Sequence, residues 1–309
     1  MEYETVGAAV DGSAVGQPKY KVKSKRKPLE VVMNTIFFLC GMVAVAFVLI
    51  ISVYLVISGM PAILEIGPIN FLFGTRWYAS TNDFGILAII LTSFAGTAGA
   101  IIIGVPIGLM TAIFLAKVAN PKLAKVVHTA VELLAGIPSV VYGLVGMILL
   151  VPAIRVAFNL PSGATLLAAI IVLSVMILPS IISVSETALR AVPREYEEAS
   201  LALGATEIET YFRVSAPAAS SGIAAAVVLG IGRAIGEAMA IMMVAGNVAN
   251  MPGLFKSVRF LTTAIASEMS YSSVGSLQRN ALFSIALVLF LFIMLINILL
   301  NTLLKKNKK

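Results

Sequence analysis

The sequence predicts an all-α fold: a polytopic membrane bundle of about six transmembrane helices with both termini in the cytoplasm. Composition is the first observation behind this prediction, because 59% of the 309 residues are hydrophobic and only 12% are charged, whereas soluble domains carry roughly 25% charged residues. The mean hydropathy is +1.00. The second observation is a series of apolar runs long enough to cross a bilayer. The third is an uneven distribution of Lys and Arg between the loops.

Six apolar runs are the predicted spans, most of them close to the roughly 20 residues that cross a hydrocarbon core. They cover roughly residues 33–58, 84–116, 133–154, 164–185, 222–249 and 281–304. The second run is longer than needed and contains Pro106, so we expect a kink or break there. Gly104-x-x-x-Gly108 and Gly232-x-x-x-Gly236 are small-residue faces that predict close helix contacts.

The positions of the positive charges predict the orientation. With six spans both termini lie on one side, and the positive-inside rule places that side in the cytoplasm of a cell-membrane protein. Sixteen of the 22 Lys and Arg residues then face the cytoplasm and five face outward, while Arg233 stays within a span. The net charge of +7 is therefore a topology signal and does not indicate nucleic-acid binding.

The predicted domain organisation is one transmembrane domain, residues 29–304, between two basic cytoplasmic tails. Residues 1–28 are polar and are predicted to be disordered, and binding to anionic lipid is a second use for their positive charges. Residues 305–309 form the shorter basic tail.

The polar segment at about residues 193–217, between the fourth and fifth spans, predicts a helix, a glycine turn and a second helix. Pro193 suits the start of a helix, and Gly204 suits a left-handed helix stop. Thr206 and Glu209 have the spacing of a capping box that begins the second helix. A short helix with one acidic and one apolar face suits the groove of a partner protein. A solvated loop between two helices is the alternative.

Arg233 and Glu237 are charged residues inside the fifth apolar run. An Arg at mid-bilayer costs about 2.5–3.5 kcal/mol on insertion scales, so both side chains are expected to face the bundle interior, a cavity or each other. Four residues apart, they are predicted to lie on one helix face, roughly 6 Å apart along the axis. Either they form a mutual ion pair, or Arg233 binds a phosphate-like anion that crosses the membrane. In the second case Glu237 holds Arg233 in place or weakens its grip on the anion.

The two long outer loops, residues 59–83 and 250–280, are predicted to form a receptor surface for a soluble binding protein. They carry large apolar and aromatic side chains, among them Phe71, Trp77 and Phe255. An interfacial helix with an aromatic belt at the lipid headgroups is the alternative.

The segment that follows Pro193 resembles the EAA loop of permease subunits in ATP-driven (ABC) importers, whose pattern is E-A-A-x3-G-x9-I-x-L-P. The matching positions here are Glu198, Ala199, Ser200, Gly204, Val214 and Pro217. Ser200, Val214 and Ala216 depart from the pattern by small or isosteric changes. The resemblance implies that this loop docks on a separate ATPase.

Span five and three further stretches resemble phosphate importer permeases of the PstC type, a likeness that covers roughly residues 30–304. The stretches read G-R-A-I-G-E-A-M-A at 232–240, F-L-F-G-x-x-W-Y at 71–78, F-G-I-L at 84–87 and A-G-I-P-S-V-V-Y-G at 135–143. The resemblance implies phosphate import, with Arg233 and Glu237 as the functional charges of the substrate path. It also implies a heterodimer with a sister permease (PstA type), a dimer of a cytoplasmic ATPase (PstB type) and an external phosphate-binding protein (PstS type).

Other functions stay open at this point. Sulfate and molybdate permeases share the loop pattern but are less similar in span five. A proton-coupled secondary transporter could use Arg233 and Glu237 as a relay, although it has no need of a docking loop. No G-x-x-x-x-G-K-[ST] motif occurs, so ATP hydrolysis is expected in a partner subunit. No cofactor, metal site or catalytic residue is expected, since His128 is the only histidine.

Overall fold

The described part of the chain is all-α apart from one short hairpin, as predicted. The computed structural model describes residues 28–306, so most of the predicted tails at 1–28 and 305–309 lies outside the described residues. The chain divides into two units, residues 1–51 and 52–309. The α-helices are α1 (Pro28–Ile66), α2 (Pro68–Phe73), α3 (Leu87–Ile113), α4 (Pro121–Gly136), α5 (Ser139–Val145), α6 (Val151–Ala157), α7 (Leu166–Arg190), α8 (Arg194–Ala202), α9 (Glu207–Thr210), α10 (Ala216–Ala218), α11 (Ser220–Gly236), α12 (Met239–Val244), α13 (Leu261–Glu268) and α14 (Leu277–Lys306).

The first unit contributes the N-terminal part of α1. Residues 29–51 form an uninterrupted helix whose side chains are exposed. These residues are apolar on almost every face, which is typical of a helix surrounded by lipid.

Helix α7 forms the centre of the second unit and packs against α3 and α11. Thr165 caps its first turn by accepting a backbone hydrogen bond, and most of its apolar side chains are buried. Glycines of α3 allow the helices to approach: a Cβ at Gly104 would lie 2.7 Å from the side chain of Ile177, and one at Gly108 would lie 2.7 Å from Ile181. The predicted small-residue face at 104–108 is therefore a packing face.

The prediction of about six spans is confirmed. Five segments in the described part of the chain are long and apolar enough to cross a bilayer, and a bent pair makes a sixth. The five are Leu29–Ile66, Leu87–Val118, Ser139–Ala157, Leu166–Arg190 and Leu277–Leu299. The bent pair consists of Glu207–Ala218 and Ser220–Gly236, with an angle of 73° between them.

Two features of the spans differ from the prediction. The third span begins at Ser139, because the apolar residues before it belong to α4, a separate helix that ends ahead of Pro138. Proline has no N–H and disfavours helical geometry in the residue before it, so helices often stop there. A kink or break was expected at Pro106, and no break is present there. Helix α3 runs without interruption to Ile113, and the irregularity follows as a π-helical turn at Phe114–Val118.

At the outer ends of the helices lie α2, α13 and an antiparallel hairpin of β1 (Trp77–Tyr78) and β2 (Asp83–Phe84). Phe71 is fully buried, and Trp77 packs edge-on against Phe84 with ring centroids 5.1 Å apart. The expectation of a receptor surface is therefore wrong for Phe71 and Trp77, which belong to the core of the second unit. Phe255 is exposed, as that expectation required.

Candidate functional site

Arg233 lies in the last turn of α11 and lines a groove of about 610 Å³ between α7, α11 and α14. Three polar side chains, one from each helix, line this groove: Ser180, Arg233 and Asn297. Its other walls are small or aliphatic residues of α11: Ala225, Val228, Leu229 and Gly232. A Cβ at Gly232 or Gly236 would meet no atom of the described chain within 4 Å. The close contact predicted for these glycines is therefore not made within the described residues, and the groove stays open.

Arg233 is a cation without a carboxylate partner in the described part of the chain. Its Nη1 donates a long hydrogen bond of 3.5 Å to the hydroxyl oxygen of Ser180. Ser180 comes fourteen residues after the start of α7, which is about 21 Å along the helix at 1.5 Å per residue. The hydrocarbon core is roughly 30 Å thick. The guanidinium therefore lies within the membrane-spanning length of α7, and most of its donors remain available.

Glu237 is the first residue after the end of α11 and has extended backbone angles, with φ −74° and ψ 129°. Its side-chain Oε1 accepts a 3.0 Å hydrogen bond from the N–H of Ala240, in the first turn of α12. Its carbonyl oxygen accepts a 2.6 Å hydrogen bond from the hydroxyl of Thr262. The prediction that Arg233 and Glu237 share one helix face is wrong, because the helix stops between them.

The two charges instead lie at the ends of two different helices. Arg233 is in the last turn of α11, where the helix dipole is negative, and Glu237 precedes α12, where it is positive. Each charge stabilises its helix end by about 0.3–1 kcal/mol at exposed positions, and by more where water is excluded. The mutual ion pair is therefore not formed in this structure.

The loop predicted to dock on a partner has the expected local geometry. Helix α8 begins directly after Pro193, and Gly204 adopts φ +88° with open space around it. The capping box is confirmed, because Thr206 accepts a hydrogen bond from the N–H of Glu209 while Glu209 accepts one from the N–H of Thr206. Only one turn of α9 follows before a π-helical turn at Tyr211–Ser215.

The residues of the predicted docking motif divide between the surface and the supports of this loop. Glu198, Ala199 and Pro217 are exposed. The hydroxyl of Ser200 lies 2.9 Å from that of Thr210, which joins α8 to α9. Val214 is half-buried. The motif therefore combines side chains that face outward with side chains that hold the loop together.

A half-buried ion pair attaches the loop to the π-helical turn that follows α3. Lys117 Nζ lies 2.5 Å from Glu197 Oε1, and the two side chains are only 10% and 18% exposed. The same Glu197 oxygen accepts a 2.8 Å hydrogen bond from Ser215. Sequence reasoning missed this pair. The signal for it was a lone Lys at the cytoplasmic end of span two beside an acidic cytoplasmic loop, but eighty residues of chain separate the partners.

Apolar side chains cover the outward face of the loop. The fractional exposure is 55% for Tyr196, 90% for Leu203, 68% for Ile208 and 45% for Phe212. With Leu201 at 43%, five large apolar side chains are exposed within seventeen residues, and clusters of this kind mark interaction sites. We call Tyr196, Leu203, Ile208 and Phe212 the docking patch.

A second polar cluster, also missed from sequence, joins α4 to α7 near the cytoplasmic end. The buried carboxylate of Glu186 accepts a 2.9 Å hydrogen bond from Arg190, which also donates to the carbonyl oxygen of Leu115 at 2.8 Å. The His128 ring lies between two carboxylates, with Nδ1 3.4 Å from Glu186 and Nε2 3.2 Å from Glu132. The cluster holds the helix ends to which the loop is attached.

A third polar cluster lies at the outer end and centres on Glu268. Both of its oxygens accept hydrogen bonds from the indole N–H of Trp77, at 3.1 and 3.0 Å. Arg259 forms an ion pair with the same carboxylate, and Gln278 donates to it at 3.0 Å. This carboxylate therefore joins β1, the segment before α13, and α14.

The sequence of this chain matches a known protein family and individual relatives. The family described as "Binding-protein-dependent transport system inner membrane component" matches residues 104–309. The chain is 39% identical to the "Probable ABC transporter permease protein YqgH" of Bacillus subtilis, over 94% of this chain and 96% of that protein. It is 34% identical to the "Phosphate transport system permease protein PstC" of Mesorhizobium japonicum, over 74% of this chain and 75% of that protein.

Solved structures support the fold at lower sequence identity. Inward-facing conformations of the MetNI methionine ABC transporter match with a TM-score of 0.55 and 23% identity, over 73% of this chain and 95% of that chain. A bacterial alginate ABC transporter, in complex with an alginate pentasaccharide-bound periplasmic protein, matches with a TM-score of 0.60 and 14% identity, over 89% and 94%.

Proposed function

This chain belongs to the family of binding-protein-dependent transport system inner membrane components, so it is a multi-pass membrane subunit of an ABC transporter, and we propose that it forms part of the path for inorganic phosphate in an ATP-driven importer. The observation that carries this proposal is Arg233, a cation in a membrane-spanning segment that lines an open groove and has no carboxylate partner in the described residues. Relatives named as phosphate permeases support phosphate as the anion.

The chemistry of Arg233 suits this role. A guanidinium presents a planar fork of donors that matches the oxygens of phosphate. Charged side chains inside membranes are costly and usually mark an ion or substrate path. The only described hydrogen-bond acceptor of Arg233 is the Ser180 hydroxyl at 3.5 Å, so an anion entering the groove would displace little. Phosphate import therefore explains a charge whose burial nothing else in the described chain compensates.

Glu237 has a different role in this proposal. Its carboxylate caps α12, and it keeps the chain in the extended conformation that ends α11 after Gly236. Glu237 therefore positions Arg233 at the free end of a helix, and the anion meets Arg233 without contacting Glu237.

In this proposal the cytoplasmic loop couples transport to ATP hydrolysis by the partner. We assign docking on a separate ATPase of the PstB type to the loop that contains Glu198, Ala199, Ser200, Gly204, Val214 and Pro217. Its docking patch gives the apolar contact area, and the Lys117–Glu197 ion pair links any movement of α8 to the end of α3. A sister permease of the PstA type and an external binding protein of the PstS type complete the proposed importer, and ATP hydrolysis belongs to the ATPase.

A proton relay between Arg233 and Glu237 has less support. Relay partners must exchange protons through contact, yet these two side chains point into different local structures. Arginine also keeps its proton at any physiological pH. The secondary-transporter alternative therefore lacks a chemical step.

Uptake by vesicles that contain this chain and its candidate partner subunits tests the proposal. ATP-dependent uptake of labelled phosphate is expected, with weak competition by sulfate and molybdate. Arg233→Leu is expected to abolish uptake while the complex still assembles, and Arg233→Lys, which keeps the charge but loses the planar fork, is expected to retain part of it. Normal phosphate uptake by Arg233→Leu, or uptake that sulfate competes for equally, would overturn the assignment.

A further inference from the structure

Asn297 is a polar side chain in an otherwise apolar stretch of α14. Between Ile285 and Leu300 it is the one residue that carries a side-chain amide or hydroxyl. It is exposed and lines the Arg233 groove. Within the described residues its amide makes no hydrogen bond, whereas Thr302, on the same helix, donates to the carbonyl oxygen of Ile298 at 2.7 Å. The amide therefore remains available to bind a polar ligand in the groove.

The hydroxyl of Ser180 also differs in its hydrogen bonding from other hydroxyls on the same helix. Ser174 and Thr187, also on α7, each donate the hydroxyl proton to the carbonyl oxygen four residues earlier, at 2.7 and 2.8 Å. The Ser180 oxygen instead accepts from Arg233. In the described structure its proton has no acceptor, so it remains available to a ligand held by the guanidinium.

We propose that Ser180 and Asn297 complete an oxyanion site with Arg233, and that Asn297 distinguishes protonated phosphate from sulfate. This inference rests on the proposed function. Arg233 supplies the positive charge, and the Ser180 hydroxyl and the Asn297 amide supply neutral donors from two other helices. Phosphate near neutral pH carries one or two P–O–H groups that need an acceptor, and the Asn297 carbonyl oxygen provides one. Sulfate has no such proton and leaves that acceptor unpaired once the bound anion has displaced water from it, which lowers the affinity for sulfate.

Kinetics of phosphate uptake in vesicles with the complete transporter test this site. Asn297→Leu is expected to raise the KM for phosphate about tenfold or more, the effect of losing one hydrogen bond to a charged group, and to weaken discrimination against sulfate. Ser180→Ala is expected to raise the KM without changing that discrimination. Asn297→Asp is expected to abolish uptake, because a carboxylate in the groove pairs with Arg233 and repels the anion. The matched controls are Thr302→Val and Thr187→Val, whose hydroxyls are bonded to their own helices, and both are expected to transport normally.

The outcomes separate this site from the proposed function. If Arg233→Leu is inactive while Asn297→Leu and Ser180→Ala have normal KM values, the assignment of Ser180 and Asn297 to the site is wrong. The proposed phosphate transport is then unaffected. If Arg233→Leu is active, the proposed function itself fails. Co-purification of the partner subunits is measured for every variant. Loss of the sister permease from Asn297→Leu, together with normal kinetics in Asn297→Ala, would make Asn297 a helix contact and overturn its role in the site. Asn297→Gln keeps the amide and is expected to stay closest to the wild type.

Discussion

Replacing Lys117 by Met should destabilise the cytoplasmic end of the protein and weaken its binding to the proposed ATPase partner. The change removes the partner of Glu197, whose side chain is only 18% exposed and keeps one hydrogen bond, from Ser215 at 2.8 Å. Loss of one partner from a fully buried ion pair costs about 3–5 kcal/mol. The remaining hydrogen bond and the partial exposure reduce this, so we expect a loss of about 2–3 kcal/mol in the free energy of unfolding.

A double-mutant cycle measures the pair itself. The free energy of unfolding is determined by denaturant titration in detergent micelles for Lys117→Met, Glu197→Gln and the double variant. Contacting charged pairs show a coupling energy of about 0.5–3 kcal/mol, and we expect the double variant to be less unstable than the sum of the single variants. Because both side chains are largely shielded from solvent, salt should weaken the coupling less than it weakens an exposed ion pair. Lys122→Met is the control, since Lys122 is exposed on the same side of the protein.

Docking is the second readout of the same variants. Lys117→Met should co-purify less ATPase than the wild type, because α8 loses its attachment to the end of α3. Additive single effects, agreeing within about 0.3–0.5 kcal/mol, together with full ATPase recovery, would refute the view that this pair couples the loop to the membrane helices.

Three further predictions concern Gly204 in the loop at about residues 193–217, the orientation of the chain in the membrane, and the polar cluster around Glu268. Gly204→Val should lower the free energy of unfolding by about 1–2 kcal/mol because of the positive φ alone, since a Cβ at this position has open space around it. This variant should also co-purify less ATPase. Gly204→Asn should co-purify a normal amount, because Asn tolerates this backbone conformation. Cysteines introduced at positions 20 and 200 should be labelled only from the cytoplasm, and one at position 265 from outside; outside labelling of 20 or 200 would contradict the topology. Glu268→Leu should lower the free energy of unfolding by about 2–3 kcal/mol, because it removes the partner of Arg259, which keeps one hydrogen bond, to the carbonyl oxygen of Asn247. It should also change the fluorescence of Trp77, the only tryptophan in the chain; unchanged stability and emission would show that this cluster contributes nothing.

Features that depend on neighbouring residues could be predicted from the sequence. The positive φ of Gly204 and the capping box of Thr206 and Glu209 are set by residues within one or two turns, and both are present. The number of spans followed from hydrophobic length, which a bilayer requires regardless of packing. Local chemistry and the dimensions of the membrane are therefore enough for the outline of this fold.

Features that depend on distant contacts could not be predicted in this way. Helical periodicity placed Arg233 and Glu237 on one face because it assumes an unbroken helix. The helix ends at Gly236, and the chain beyond it is held by Thr262, twenty-five residues away. The groove around Arg233 likewise needs Ser180 and Asn297 from two other helices. The sequence therefore indicated the charge that matters, but not its surroundings.

The interruption between α11 and α12 has a consequence for water. The last carbonyl groups of α11 have no further helical turn to bond with, and a lipid environment offers them no donor, at a cost of several kcal/mol for each group left unsatisfied. Broken helices are tolerated at this depth where they line a hydrated cavity. Amide protons at 237–239 should therefore exchange with heavy water faster than those in the middle of α7. Water would then enter the interior of this protein and reach the guanidinium of Arg233.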